Sequence, residues 1–157
     1  MGNSPFHTTM AVSGNWKCNP ASASKLPELI ANINACDTSK CDVYVCPSPL
    51  HVSQVTGKFT NAAEVAPQNC NFAGCGAYTG EMAVDQMADM GIKWVLLGHS
   101  ERRGEFGLPT PKESNALLAT KLAYVLEKVG PGGMGGSRAG AECSSELSHA
   151  YVATPDC

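Results

Sequence analysis

Lys93-Trp94-Val95-Leu96-Leu97-Gly98-His99-Ser100-Glu101-Arg102-Arg103 is the stretch that decides the fold class. Trp94 to Leu97 is apolar at every position, the pattern of a parallel strand covered on both faces rather than one with a wet side. The chain then switches abruptly to glycine, histidine and charge. In parallel α/β folds the reactive residues gather at this place, where a strand ends and its loop begins.

Reading outward, the neighbouring segments alternate in kind. Met82 to Met90 has helical spacing and is stopped by Gly91. Glu64 to Gln68 reads as a short strand, and Asn69 to Gly80 as a glycine-rich loop. Leu50 to Phe59 reads as a helix, and Asp42 to Cys46 as a β-branched and aromatic strand halted by Pro47. Leu26, Leu29, Ile30 and Ile33 recur at helical spacing, with Pro27 acceptable only in a first turn. Ala11 to Trp16 is a strand running into a polar loop. On the other side, Thr110-Pro111-Lys112-Glu113 has the order of an N-cap, a first-turn proline and a capping glutamate. It predicts a helix from Thr110 to Val129, with Leu118, Leu122, Val125, Leu126 and Val129 as its buried stripe. The order is therefore strand-helix repeated four times, which demands a parallel sheet with crossover helices. The expected division is a domain over 1–129 and a Gly/Ser-rich, irregular tail without a strand over 130–157.

Composition narrows the class. The 157 residues are 43% hydrophobic and 16% charged, as in a folded domain, and the net charge of -3 gives nucleic acid no electrostatic hold. No run reaches the ~20 apolar residues of a membrane span, and Met1 to Met10 lacks the pattern of a signal peptide. The expectation is a cytoplasmic protein with its eight cysteines reduced. No Cys-x-x-Cys pair and no matching histidine spacing exists, so no metal site is expected. Gly130-x-Gly132-x-x-Gly135 matches a dinucleotide fingerprint by letter, but it follows a helix instead of a strand, and no cofactor is expected from it.

Two segments can carry chemistry. Asn15-Trp16-Lys17 closes the first strand: the lysine can neutralise a phosphate or oxyanion, and the asparagine can donate a hydrogen bond. By itself such a segment is usually just a polar loop. His99 follows the apolar strand, at the start of a helix whose N-terminal dipole disfavours an imidazolium. A neutral imidazole there can donate a hydrogen bond and shuttle a proton. The alternative is a capping histidine before a solvated charge cluster.

Taken together, Gly14-Asn15-Trp16-Lys17-Cys18-Asn19, Val65-Ala66-Pro67-Gln68-Asn69, Gly76-Ala77-Tyr78-Thr79-Gly80-Glu81 and Gly98-His99-Ser100-Glu101-Arg102-Arg103 resemble the triosephosphate isomerase family, from about Met10 to Lys128. The resemblance implies a partial (β/α)8 barrel of about four β/α units. It implies interconversion of dihydroxyacetone phosphate and glyceraldehyde 3-phosphate through an enediolate, with no cofactor. Asn15 and Lys17 match substrate-contacting residues, His99 the electrophile and proton shuttle, and Glu101 a supporting carboxylate near the lysine. Residues 70–81 match a loop that interdigitates in a homodimer, in which Thr79 reaches the neighbouring subunit and Cys18 lies at the interface.

The chain also departs from the family. A complete barrel needs about 250 residues. The family's glutamate base, which lies after strand six, finds no match in Glu142, Glu146 or Asp156. Leu108 stands where the family usually has an acid after Phe-Gly, so a buried polar contact is expected to be lost. An open half barrel is expected to expose its inner apolar face and its edges. Three readings remain: a truncated isomerase with little or no activity alone, a non-catalytic fragment acting by binding or self-association, and a separate small α/β enzyme reusing His99 and Lys17.

Overall fold

The computed structural model describes residues 11–104 and 111–129, and the backbone of 150–153. The elements run β1 (Ala11–Asn15), α1 (Leu26–Asn34), β2 (Asp42–Cys46), α2 (Val52–Val55), β3 (Ala63–Val65), α3 (Val84–Asp89), β4 (Trp94–Leu97), α4 (Asn115–Val129) and β5 (Ala150–Ala153).

Strands β1, β2 and β3 form a parallel sheet in that order, with Val12 opposite Val43, Ser13 opposite Tyr44 and Val45 opposite Val65. The ladder does not extend to β4 as the four-unit reading expects. Ala66 is followed by Pro67, which has no N–H to give. One link survives: the Leu96 N–H donates to the Pro67 carbonyl at 2.9 Å.

Period-two alternation sorts the sheet into two faces. Val65, Val95 and Leu97 pack with Leu26, Val52, Val55, Val84, Met87, Ile92 and Val125 from the helical layer. Tyr44, Cys46, Ala66 and Leu96 form the opposite cluster, with Trp94 against it. Tyr44 and Trp94 come from strands on either side of β3, and their rings stack at 5.0 Å with 19° between planes. The expectation of an exposed inner face is thus corrected: these residues are buried. The apolar strand residue left open is Val12, 48% exposed, which the register puts on the helical side of the edge strand β1.

Helix boundaries follow local chemistry. Pro27 sits in the first turn of α1, where its missing N–H costs nothing. In α3 the Gln86 side chain reaches back to accept from the Ala83 N–H at 3.3 Å, the half of a capping box that an alanine cap permits. The helix ends in a Schellman turn: the Ile92 N–H bonds the Met87 carbonyl, the Gly91 N–H bonds that of Ala88, and Gly91 takes φ +70°. The helix expected over Leu50 to Phe59 is instead a 3-10 turn at Pro49–His51 followed by one turn of α2. Thr56 leaves the helical region at ψ 128°, and Gly57 takes φ +73°.

The largest correction lies at α4, which begins at Asn115, not Thr110. Its cap is Ser114, whose Oγ accepts from the Leu117 N–H at 3.2 Å and whose carbonyl takes the first helical bond, from the Leu118 N–H. Glu113 is not a capping residue but a buried one, 4% exposed. Thr110 and Leu108 lie outside the described residues.

Beyond Val129 the sequence predicts no strand. Ala150–Ala153 nevertheless pairs antiparallel with β4, Trp94 opposite Ala153 and Leu97 opposite Ala150. The rest of 130–157 lies outside the described residues.

Candidate functional site

The segments singled out by sequence meet at one rim, the C-terminal ends of β1 and β4. Asn15 is the last residue of β1, and its Oδ1 accepts from the Lys17 N–H at 2.8 Å. That bond accompanies a backbone that few side chains tolerate: Lys17 has φ +54°. A left-handed residue other than glycine costs roughly 1–2 kcal/mol, so neighbouring contacts must hold it.

Gln68 supplies them. Its Nε2 lies 2.8 Å from the Lys17 carbonyl, 3.0 Å from that of Cys46 and 2.9 Å from that of Pro47. One amide thereby ties together the loops that follow β1, β2 and β3. The Trp16 N–H adds a bond to the Cys46 carbonyl at 3.0 Å. The local sequence does not mark Gln68. An amide at a strand end carries no pattern that distinguishes a staple from a surface residue.

With its backbone so fixed, Lys17 reaches across the rim. Its Nζ lies 2.7 Å from Glu101 Oε1, although the two are 84 residues apart. The side chains are 52% and 34% exposed, so the pair faces solvent and stays accessible to a ligand. The hydrogen bond from Lys17 and its charge hold the Glu101 carboxyl below the usual carboxylate range.

His99 begins the 3-10 turn Ser100–Arg102 and caps it, its Nδ1 accepting from the Glu101 N–H at 3.2 Å. A nitrogen that accepts carries no proton, so this bond assigns the neutral imidazole's hydrogen to Nε2. Gly98 before it has φ +71°, and a Cβ there would come within 3.0 Å of Leu118 Cδ1. Close packing on α4 thus adds to the glycine requirement that lets the chain turn out of β4.

A buried polar cluster underlies this rim. Glu113 Oε1 accepts from Arg102 Nε at 3.1 Å, from Arg102 Nη2 at 2.9 Å and from Lys121 Nζ at 2.6 Å. Lys121 Nζ also donates to Asn69 Oδ1 at 2.7 Å, at the root of the glycine-rich loop. Burial pushes the Glu113 carboxyl up, but the bonds and charges of Arg102 and Lys121 outweigh it and hold it below the usual range.

Of the other expected site residues, Cys18 directly follows Lys17 and Thr79 lies in the glycine-rich loop. Cys18 and Thr79 are both exposed. Cys46 and Cys70 are buried, and burial pushes both thiols up to about 12. Among the described residues, no group of three or more His, Cys, Asp or Glu side chains is placed to hold a metal ion. Among them also, no helix is long and apolar enough to cross a membrane.

Known proteins can be set beside this geometry. The family model described as triosephosphate isomerase matches residues 10–129. Chloroplastic triosephosphate isomerases of Secale cereale and Fragaria ananassa are each 39% identical to the chain over 118 residues, 74% of it and 38% and 36% of theirs. A cytosolic triosephosphate isomerase of Oryza sativa subsp. japonica is 34% identical over 119 residues, 45% of its own length. The chain spans about two fifths of the length of these curated relatives. A match that runs unbroken through β1, the glycine-rich loop, the His99 turn and α4 shows that the chain belongs to the triosephosphate isomerase family.

Proposed function

We propose that this chain supplies the substrate-binding and electrophilic side of a triosephosphate isomerase site, for interconversion of dihydroxyacetone phosphate and glyceraldehyde 3-phosphate. The observation that carries the reading is the meeting of Lys17 with Glu101 at 2.7 Å beside His99. Glu101 stays ionised and holds the ammonium at the rim. Lys17 offers its positive charge to the substrate, and Asn15 lies two residues away on the same loop. His99 Nε2–H donates to the substrate carbonyl oxygen, which acidifies the adjacent carbon. As the enediolate forms, the same imidazole returns a proton between its two oxygens. No cofactor is needed, because the carbonyl itself stabilises the carbanion.

The proton on carbon needs a base, and the family's glutamate has no counterpart among these 157 residues. General-base catalysis is worth about 10²–10⁴-fold, and loss of lid and phosphate loops removes positioning as well. The chain alone therefore binds triose phosphate weakly and turns it over little or not at all. Residues 1–129 act as the barrel-like domain, with 130–157 appended. Loop residues 70–81, with Thr79 exposed, and Cys18 form a homodimer surface. The described cysteines Cys18, Cys36, Cys41, Cys46, Cys70 and Cys75 are free thiols, which fits a reducing compartment, the cytoplasm.

The test has two parts. A coupled isomerase assay on the intact-mass-verified chain should find activity several decades below that of a complete isomerase. Titration with dihydroxyacetone phosphate should shift the His99 ring resonances, and Lys17→Met should abolish the shift. Ordinary turnover by the chain alone would overturn the account of the missing base. No shift at millimolar substrate would overturn the site. The second reading, a fragment acting by self-association, is favoured by the aromatic, exposed loop tip at Phe72 and Tyr78, and an inactive, non-binding but dimeric chain would select it.

A further inference from the structure

The glycine-rich loop is not held by its own contacts alone. The Asn71 N–H closes its base on the Met82 carbonyl at 2.8 Å, and Asn71 Nδ2 reaches the Gly74 carbonyl at 3.3 Å. Phe72 and Tyr78 meet edge to face at 5.4 Å between centroids. Between these two features, Gly74 comes down onto a polar group that belongs to neither the loop nor the rim. Tyr124 of α4 donates its hydroxyl to Asp85 Oδ2 of α3 at 2.7 Å. Lys128, one turn on in α4, puts its Nζ 3.0 Å from Asp85 Oδ1 and 5.3 Å from the centre of the Tyr124 ring.

The fit is close. A Cβ on Gly74 would lie 2.7 Å from the Tyr124 hydroxyl, 3.2 Å from Asp85 Oδ2 and 3.8 Å from Tyr124 Cζ. Gly74 shows no left-handed φ. The bar to a side chain at this position is therefore steric and comes chiefly from the hydroxyl, with Asp85 Oδ2 also inside ordinary contact distance.

We infer that Asp85, Tyr124 and Lys128 form the seat that positions this loop, setting where Phe72, Tyr78 and Thr79 project for contact with a second copy of the chain. The triad bridges α3 to α4, so the height of the seat is set by two helices rather than by the loop. Loop closure over a dozen residues leaves many conformations open, and one rigid support in the middle removes most of them. The consequence for a second copy rests on the dimer reading above; the seating does not.

Three variants of the full chain test it: Gly74→Ala, Tyr124→Phe and the two together. Amide hydrogen exchange of residues 71–80 by mass spectrometry reads the seating, sedimentation velocity over a concentration series reads self-association, and thermal melting monitors the fold. Gly74→Ala should speed loop exchange about tenfold or more with α3 and α4 unchanged. Tyr124→Phe should have a smaller effect. The double variant should recover most of the way to the level of Tyr124→Phe, because without the hydroxyl the nearest ring atom is at ordinary contact distance and only Asp85 Oδ2, at 3.2 Å and no longer bonded to the ring, has to give. Unchanged exchange in Gly74→Ala, or a defect that Tyr124→Phe leaves unrelieved, would overturn the seat. If exchange follows the expected pattern while the unmodified chain sediments as a monomer throughout, the seat stands and the dimer reading falls.

Discussion

Glu113→Ala should be among the most damaging single substitutions in the described chain, and its cost can be apportioned. The carboxylate receives three donor contacts, two from Arg102 and one from Lys121. The Arg102 side chain is 30% exposed and can find water when its partner is removed. That of Lys121 is 4% exposed and cannot. It keeps only Asn69 Oδ1, at 2.7 Å. Removing one partner of a buried ion pair costs about 3–5 kcal/mol, and the retained Asn69 bond places this case near ~3 kcal/mol. Total stabilities run only about 5–15 kcal/mol, so the loss is large. Lys121→Met should cost less, because Glu113 keeps the half-exposed Arg102. The pair Glu113→Leu with Lys121→Met should cost clearly less than the sum of Glu113→Leu alone and Lys121→Met alone, since no deeply buried charge is then left unpaired and Arg102, 30% exposed, reaches water.

Urea unfolding at neutral pH measures all of these. The acid limb supplies a second check. The folded-state pKa of Glu113 is lowered, so its contribution is complete above the unfolded value of about 4.3 and is lost as pH falls through the lower folded value. The stability gap between the parent chain and Glu113→Gln should be constant from pH 7 to 5 and narrow only below that. A Glu113→Ala cost under about 1 kcal/mol, strict additivity in the double variant, or a gap that widens in acid would each refute the assignment of Glu113 as the buried counter-ion.

Gln68→Ala removes one amide that faces three carbonyls, and should cost about 1–3 kcal/mol in chemical denaturation while releasing Lys17 from its left-handed backbone; a neutral effect would mean that water replaces the staple. Glu101→Gln should shift stability by less than about 1 kcal/mol, because the pair is exposed, yet weaken dihydroxyacetone phosphate binding in the His99 resonance titration. A large stability loss with unchanged binding would reverse that assignment. Cys46 and Cys70, with thiols near 12, should resist iodoacetamide at pH 8 in the folded chain, while exposed Cys18, Cys36 and Cys75 are alkylated, as peptide mapping would show. Early alkylation of Cys46 would mean that the inner face opens.

The sequence alone determined the alternation of strands and helices, the strand Trp94 to Leu97, the glycine that ends α3 and the polar switch that follows Leu97. These are local properties: a four-residue apolar run, a left-handed turn and a polar switch at a strand end are each written in neighbouring residues. Tertiary structure alone decided what Glu113, Gln68 and Gly74 do. Glu113 lies beside a proline and ahead of a helix, and its local pattern is that of a cap; only Lys121 and Arg102 arriving at 2.6 and 2.9 Å make it a buried counter-ion. Gln68 and Gly74 depend likewise on partners 21 to 51 residues distant, or on another helix entirely. The pairing of β5 with β4 belongs to the same class, because backbone hydrogen bonding at a sheet edge asks for an open edge and almost nothing of side-chain identity.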